Sequence, residues 1–149
     1  MLRRSLLSAL VMSLLSFAAV QAGPDTASRI SFAPGQVWSI KSVPTTTAKV
    51  VICRIEPWKG KTVVHVSIID VPIPQGVPGA GGVTSIGDMP FDESALAASV
   101  DQLVATGASP APSFEAGYEQ WKDAKGGIFT TSVPQAIKFV FDGISRGHG

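Results

Sequence analysis

An α+β fold is expected from three observations. Runs rich in valine and isoleucine fill residues 36–70, helical periodicities fill residues 92–144, and a stretch rich in proline and glycine divides them. Beyond residue 22 only two leucines remain, Leu96 and Leu103, against 14 valines and 11 isoleucines. β-Branched side chains are stiff at χ1 and pack well on a pleated surface. The expected architecture is a three- to four-stranded, mainly antiparallel sheet packed by two or three helices.

The first strand is expected at Gln36–Lys41, which carries Val37, Trp38 and Ile40. Two stronger strands are expected at Lys49–Glu56 and Thr62–Asp70. If Lys59-Gly60 form the centre of a tight turn between them, Arg54 lies opposite His65. Val51, Cys53 and Ile55 then share a core face with Val64, Val66 and Ile68. The other face carries Ile52, Arg54 and Glu56 against Val63, His65 and Ser67. It reads as a mixed, solvent-facing surface.

Residues 71–90 contain four prolines and five glycines. They read as one long loop with a short strand at Val83–Ile86. Asp92 can then cap a helix whose apolar stripe is Leu96, Val100, Leu103 and Val104, ended by Gly107. Ser113 can cap a second helix, with Phe114, Tyr118 and Trp121 on one side and Gly126-Gly127 as its stop. Ile128–Thr131 suits a short strand. Pro134 suits the first turn of a last helix that buries Ile137, Val140, Phe141 and Ile144.

Residues 1–22 have the three parts of a secretory signal. Arg3-Arg4 form a basic start, Leu6–Val20 is a 15-residue apolar run, and Val20-Gln21-Ala22 places small residues before a cut at Gly23. The run is short for a stable membrane span of about 20 residues. Arg3-Arg4-Ser5-Leu6-Leu7 also echoes a twin-arginine signal, but Leu2 replaces the usual polar residue, so the general secretory route is favoured. The expectation is a single α+β domain, 23–149, in the periplasm or secreted, with no stable membrane span after cleavage. The whole chain of 149 residues carries a net charge of +1. Without Arg3 and Arg4, 10 basic groups stand against 11 acidic ones. A balance near zero, without basic–aromatic interleaving, argues against a nucleic-acid partner. Charge is uneven, at +3 over residues 23–70 and −4 over 71–149.

Chemistry is sparse. His65 and His148 alone have ordinary pKa values near neutrality. His65 beside Arg54 is a candidate general base or anion-binding pair, and a strand histidine without chemistry is the plainer alternative. Cys53, the single cysteine, reads as core filler and excludes an internal disulfide. Gly143-Ile-Ser-Arg-Gly147 matches G-x-S-x-G, but a helix precedes Ser145 and almost no chain follows it. Gly79-Ala-Gly-Gly82, with Gly79, Gly81 and Gly82, could suggest a phosphate loop, but it lacks the Gly-Lys-Ser/Thr ending and no helix opens after it, so a flexible linker is the better reading. Trp58, in the hairpin turn, is the aromatic expected to be most exposed. No cluster supports a metal site, and no cofactor is implied.

Four stretches resemble a family of small uncharacterised exported bacterial proteins. They are Pro34-Gly-Gln-Val-Trp-Ser-Ile40, His65-Val-Ser-Ile68, Met89-Pro-Phe-Asp-Glu93 and Phe114-Glu-Ala-Gly-Tyr-Glu-Gln-Trp121. The resemblance implies one exported domain and transfers no catalytic residue. The function expected is therefore a non-catalytic domain that binds a protein or another envelope component. Its candidate binding residues are Trp58, Arg54, His65, Gly79, Gly81 and Gly82. The alternative is a small periplasmic hydrolase or anion-binding enzyme that uses His65 and Arg54.

Overall fold

A computed structural model describes residues 29–147. The signal segment, its cleavage point and His148 lie outside the described residues. One antiparallel sheet runs through the molecule, so the fold is α+β. It has five strands, one more than the upper expectation: β1 (Val37–Ile40), β2 (Lys49–Trp58), β3 (Lys61–Pro72), β4 (Val83–Asp92) and β5 (Val100–Ala105). Among the described residues three helices accompany them: α1 (Glu93–Ser99), α2 (Phe114–Asp123) and α3 (Val133–Arg146). The strand order is β4-β3-β2-β1-β5. Among the described residues no helix is long and apolar enough to cross a membrane.

The hairpin of β2 and β3 forms as the turn residues require. Lys59 and Gly60 both adopt positive φ, 49° and 79°, the combination that matches a tight turn to the twist of its strands. Arg54 pairs with His65 as expected. The pairing then shifts by one between Arg54 and Ile52, so Cys53 is the extra residue of a β-bulge. Beyond it the faces exchange. Ile52 pairs with Val66 and Val50 with Ile68, and these join the main core in place of Val51 and Cys53.

Both faces of the sheet are covered. Leu96 of α1 and Val133, Ala136 and Phe141 of α3 close the main core over Ile52, Val64, Val66, Met89 and Phe91. Phe114, Tyr118 and Trp121 of α2 pack on the opposite face, against Cys53 and Trp58. The face expected to meet solvent is therefore the floor of a second, aromatic core.

Three expectations about elements are corrected. The loop expected at 71–90 spans only 73–82, because β3 continues to Pro72 and β4 begins at Val83. β4 tolerates Pro90 because it is an edge strand. Phe129 bonds to Pro90 O and receives the Asp92 N–H on the outer side, so the missing proline N–H costs no bond to β3. The helix capped by Asp92 ends at Ser99, and residues 100–105 form β5. Leu103 and Val104 are therefore exposed rather than buried. The reason lies at Ser99. Its hydroxyl donates to Ala95 O and accepts the Val133 N–H, which pins α1 to α3 and leaves Val100 extended. Ile128–Thr131 forms only a single parallel bridge, Phe91 to Phe129.

The last two helices follow the reading closely. α2 buries Phe114, Tyr118 and Trp121, and α3 starts with Pro134 in its first turn. Ile144, expected inside, is 38% exposed. Ser145 lies in the last turn of α3, with no strand before it. Two ion pairs join the basic and acidic halves, Arg54 to Glu115 at 3.7 Å and Lys61 to Asp92 at 3.8 Å. Each has at least one well-exposed partner and contributes little.

Candidate functional site

β3 places His65 at the centre of the face beneath α2, where it is fully buried. Its Nδ1 lies 2.9 Å from Asp88 Oδ1 on β4, and its Nε2 lies 3.0 Å from Glu56 Oε1 on β2. The Asp88 contact has hydrogen-bond geometry. The Glu56 contact is close but poorly aligned, and neither His65 Nε2 nor Glu56 Oε1 has another hydrogen-bond partner. Each ring nitrogen thus faces a carboxylate, which can only accept when ionised.

Aromatic rings close the site. The His65 ring meets Tyr118 edge-on at 4.9 Å and Trp121 edge-on at 4.5 Å. Tyr118 reaches past it to donate its hydroxyl to Glu56 Oε2 at 3.3 Å. Arg54 lies on the outside, its Cζ 4.0 Å from the centre of the Tyr118 ring. Contact with Tyr118, and then the charges of Glu115 and Glu56, raise Arg54 above the ordinary guanidinium range. This cation–π contact covers the tyrosine from the solvent side. The result is a layered stack in which Arg54 lies on Tyr118, and Tyr118 covers His65 and its two carboxylates.

Cys53 borders the same region. Its Sγ lies 3.3 Å from Val51 O and 3.5 Å from Ser67 Oγ. The Ser67 hydroxyl donates to Gly87 O at 2.6 Å and accepts the Ala111 N–H at 3.0 Å. Burial is the main cause that pushes the Cys53 thiol up. The thiolate is scarcer than in a free cysteine, so reaction with alkylating reagents is expected to be at least about tenfold slower in the native protein than in urea. Rates with iodoacetamide at pH 8 measure this, and equal native and denatured rates would refute it. The native rate should climb only above the usual thiol range. Because the folded pKa is raised, the stability this thiol confers is lost as the pH rises through that value.

The structure brings Arg54 and His65 together, but only Arg54 reaches solvent. Trp58 is half-buried, its ring 4.6 Å from Trp121 at the rim of the aromatic core. Gly79, Gly81 and Gly82 lie elsewhere, in the 73–82 loop past the far end of β3. That loop is internally bonded: the Ala80, Gly81 and Gly82 N–H groups donate to Val77, Ile73 and Gly79 carbonyls. Those three donors are spent within the loop rather than turned toward an anion. Glu56, which the hairpin register places on the same face, completes the His65 cluster together with Asp88, Tyr118 and Trp121, which the sequence alone does not bring to it. Among the described residues no group of three or more His, Cys, Asp or Glu side chains is placed to hold a metal ion. A mainly apolar cleft of about 370 Å³ lies between α3 and the ends of β1 and β3, lined by Ile40, Val71, Pro134, Ile137 and Phe141. It includes none of these residues.

Comparison with known families, characterised proteins and solved structures gives no match for this chain. A general base needs a nitrogen within reach of a substrate proton. Here both nitrogens face carboxylates beneath Tyr118 and Trp121, an arrangement suited to fixing α2 on the sheet.

Proposed function

We propose that this chain is an exported, non-catalytic domain of the bacterial envelope that binds a protein partner along strand β5. The observation that carries this reading is the unequal treatment of the two sheet edges. The β4 edge is guarded by Pro90 and by the backbone of Phe129. Among the described residues the β5 edge is bonded only to β1, and five of its six residues are exposed. It has no lysine, no proline and a single charge, Asp101. Its pairing with β1 shifts register twice, but an open edge with neither lysine nor proline can still accept an extended segment of another chain. Leu103 and Val104, about half-exposed, supply apolar side chains for such a segment.

Export is supported by the three-part signal in residues 1–22. The hydrolase alternative requires a substrate to reach His65, and the Arg54–Tyr118–Trp121 cover opposes that. Site-specific photo-crosslinking in intact cells tests the proposal. A crosslinker at Leu103 is expected to give a discrete protein adduct in the periplasmic fraction, with the mature chain beginning near Gly23. Val104→Pro should abolish it, and a crosslinker at exposed Phe139 should not give it. Absence of the adduct at 103, or its persistence with Val104→Pro, would overturn the role of β5. Retention of the chain in the cytoplasm would overturn the export part.

A further inference from the structure

A second site, independent of β5, lies at the tip of the β2–β3 hairpin. Trp58, Lys59 and Lys61 face Gly126, Gly127 and Ile128 across a cleft of about 220 Å³. The floor is fixed. Gly126 donates its N–H to Trp121 O, and the Trp121 indole donates to Gly127 O at 2.9 Å. Glycine is required at 126, where a Cβ would lie 2.5 Å from the Trp121 ring. At 127 a Cβ would meet nothing within 4 Å. The walls combine an indole with two ammonium groups. Lys59 Nζ lies 5.5 Å from the centre of the Trp58 ring and has no carboxylate partner among the described residues. Lys61 is 3.8 Å from Asp92, which offsets one of the two charges. The cleft therefore presents one uncompensated positive charge beside an aromatic ring, over a floor of two glycines.

We propose that this cleft binds a single six-membered ring bearing one carboxylate, with the ring against Trp58 and the carboxylate at Lys59. The volume lies below the roughly 300–1,000 Å³ of sites for drug-sized ligands, which suits one ring and no more. An indole favours the flat face of a ring, and a free ammonium favours an anion in charge-assisted contact. The chemistry is shared by sugar acids and aromatic acids, and the test separates them.

Glucuronate, benzoate, glucose and acetate are titrated into the mature chain labelled with ¹⁵N. Saturable shifts are expected at the Trp58 indole N–H and the Gly126 and Gly127 amides, with glucuronate or benzoate. Whichever acid saturates at lower concentration names the source. Glucose, lacking the charge, and acetate, lacking the ring, should bind at least about tenfold more weakly. Lys59→Asn removes the charge with a residue that tolerates positive φ, and should weaken binding about tenfold or more. Gly127→Leu should abolish binding while the thermal melt stays near that of the parent. No saturable shift with either acid would overturn the proposal. So would equal responses to glucose and glucuronate, or unchanged binding in a folded Lys59→Asn protein.

Discussion

Asp88→Ala is expected to lower the unfolding free energy by about 1–3 kcal/mol, the usual cost of leaving a buried hydrogen-bonding group without its partner. The Asp88 side chain is 2% exposed, and its Oδ1 lies 2.9 Å from a fully buried His65 nitrogen. Without it, His65 keeps only the misaligned contact with Glu56. A buried polar group without a partner forfeits its hydration with nothing in return. Water cannot readily enter, because Tyr118 and Trp121 cover the ring. Asp88→Asn keeps an acceptor and nearly the same shape, so it should recover part of the loss. Urea denaturation followed by tryptophan fluorescence measures both variants. A loss below about 1 kcal/mol for Asp88→Ala would mean that His65 is not held by this pair.

The consequences reach past stability. Glu56, His65 and Asp88 sit on β2, β3 and β4, and Tyr118 ties the helix to Glu56. One polar cluster thus fixes the register of three strands and the position of α2 together. Apolar contacts are non-directional and would allow α2 to slide. The Tyr118 hydroxyl, with one acceptor at 3.3 Å, does not. The cluster acts as a fastener for the aromatic core.

Parts of this arrangement are legible in the sequence. The Lys59-Gly60 turn sets Arg54 opposite His65 because a tight turn leaves no freedom in register. The spacing of Phe114, Tyr118 and Trp121 puts three aromatic rings on one side of α2. Those rings need a surface to pack on, and the only sheet face left was the one carrying Arg54, Glu56 and His65. The demand for burial by α2 was therefore the available signal that His65 is covered. The bulge at Cys53 had no such signal, since no glycine or proline marks it and either face of residues 50–53 is apolar. Residues 96–104 misled for a different reason. Leu96, Val100, Leu103 and Val104 fit a helical stripe, and the break after Ser99 depends on its hydroxyl meeting Val133 34 positions away. Asp88 was hidden in a proline- and glycine-rich stretch whose edge position excuses Pro90, and edge position is a property of the assembled sheet.

Gly87→Ala is the second large effect expected, a loss of about 1–3 kcal/mol by overpacking. Gly87 of β4 faces Ser113, the residue that precedes α2. A Cβ there would sit 2.4 Å from Ser113 Oγ and 2.6 Å from Ser113 O. The second contact is with backbone, so Ser113→Ala cannot relieve it. Either β4 or the start of α2 must move. Gly87 O also receives the Ser67 hydroxyl, which in turn holds the Ala111 N–H just before α2, so displacement loosens those bonds as well. Gly127→Ala, which meets no neighbour, should stay within about 0.5 kcal/mol of the parent and serves as the control. Because Ser67 also borders Cys53, a lifted α2 should expose the thiol, and Gly87→Ala is expected to quicken its alkylation. If Gly87→Ala matched Gly127→Ala in both stability and thiol reactivity, the close seating of α2 on β4 would be wrong. The cover over His65 would then have to be held from the Trp121 end alone.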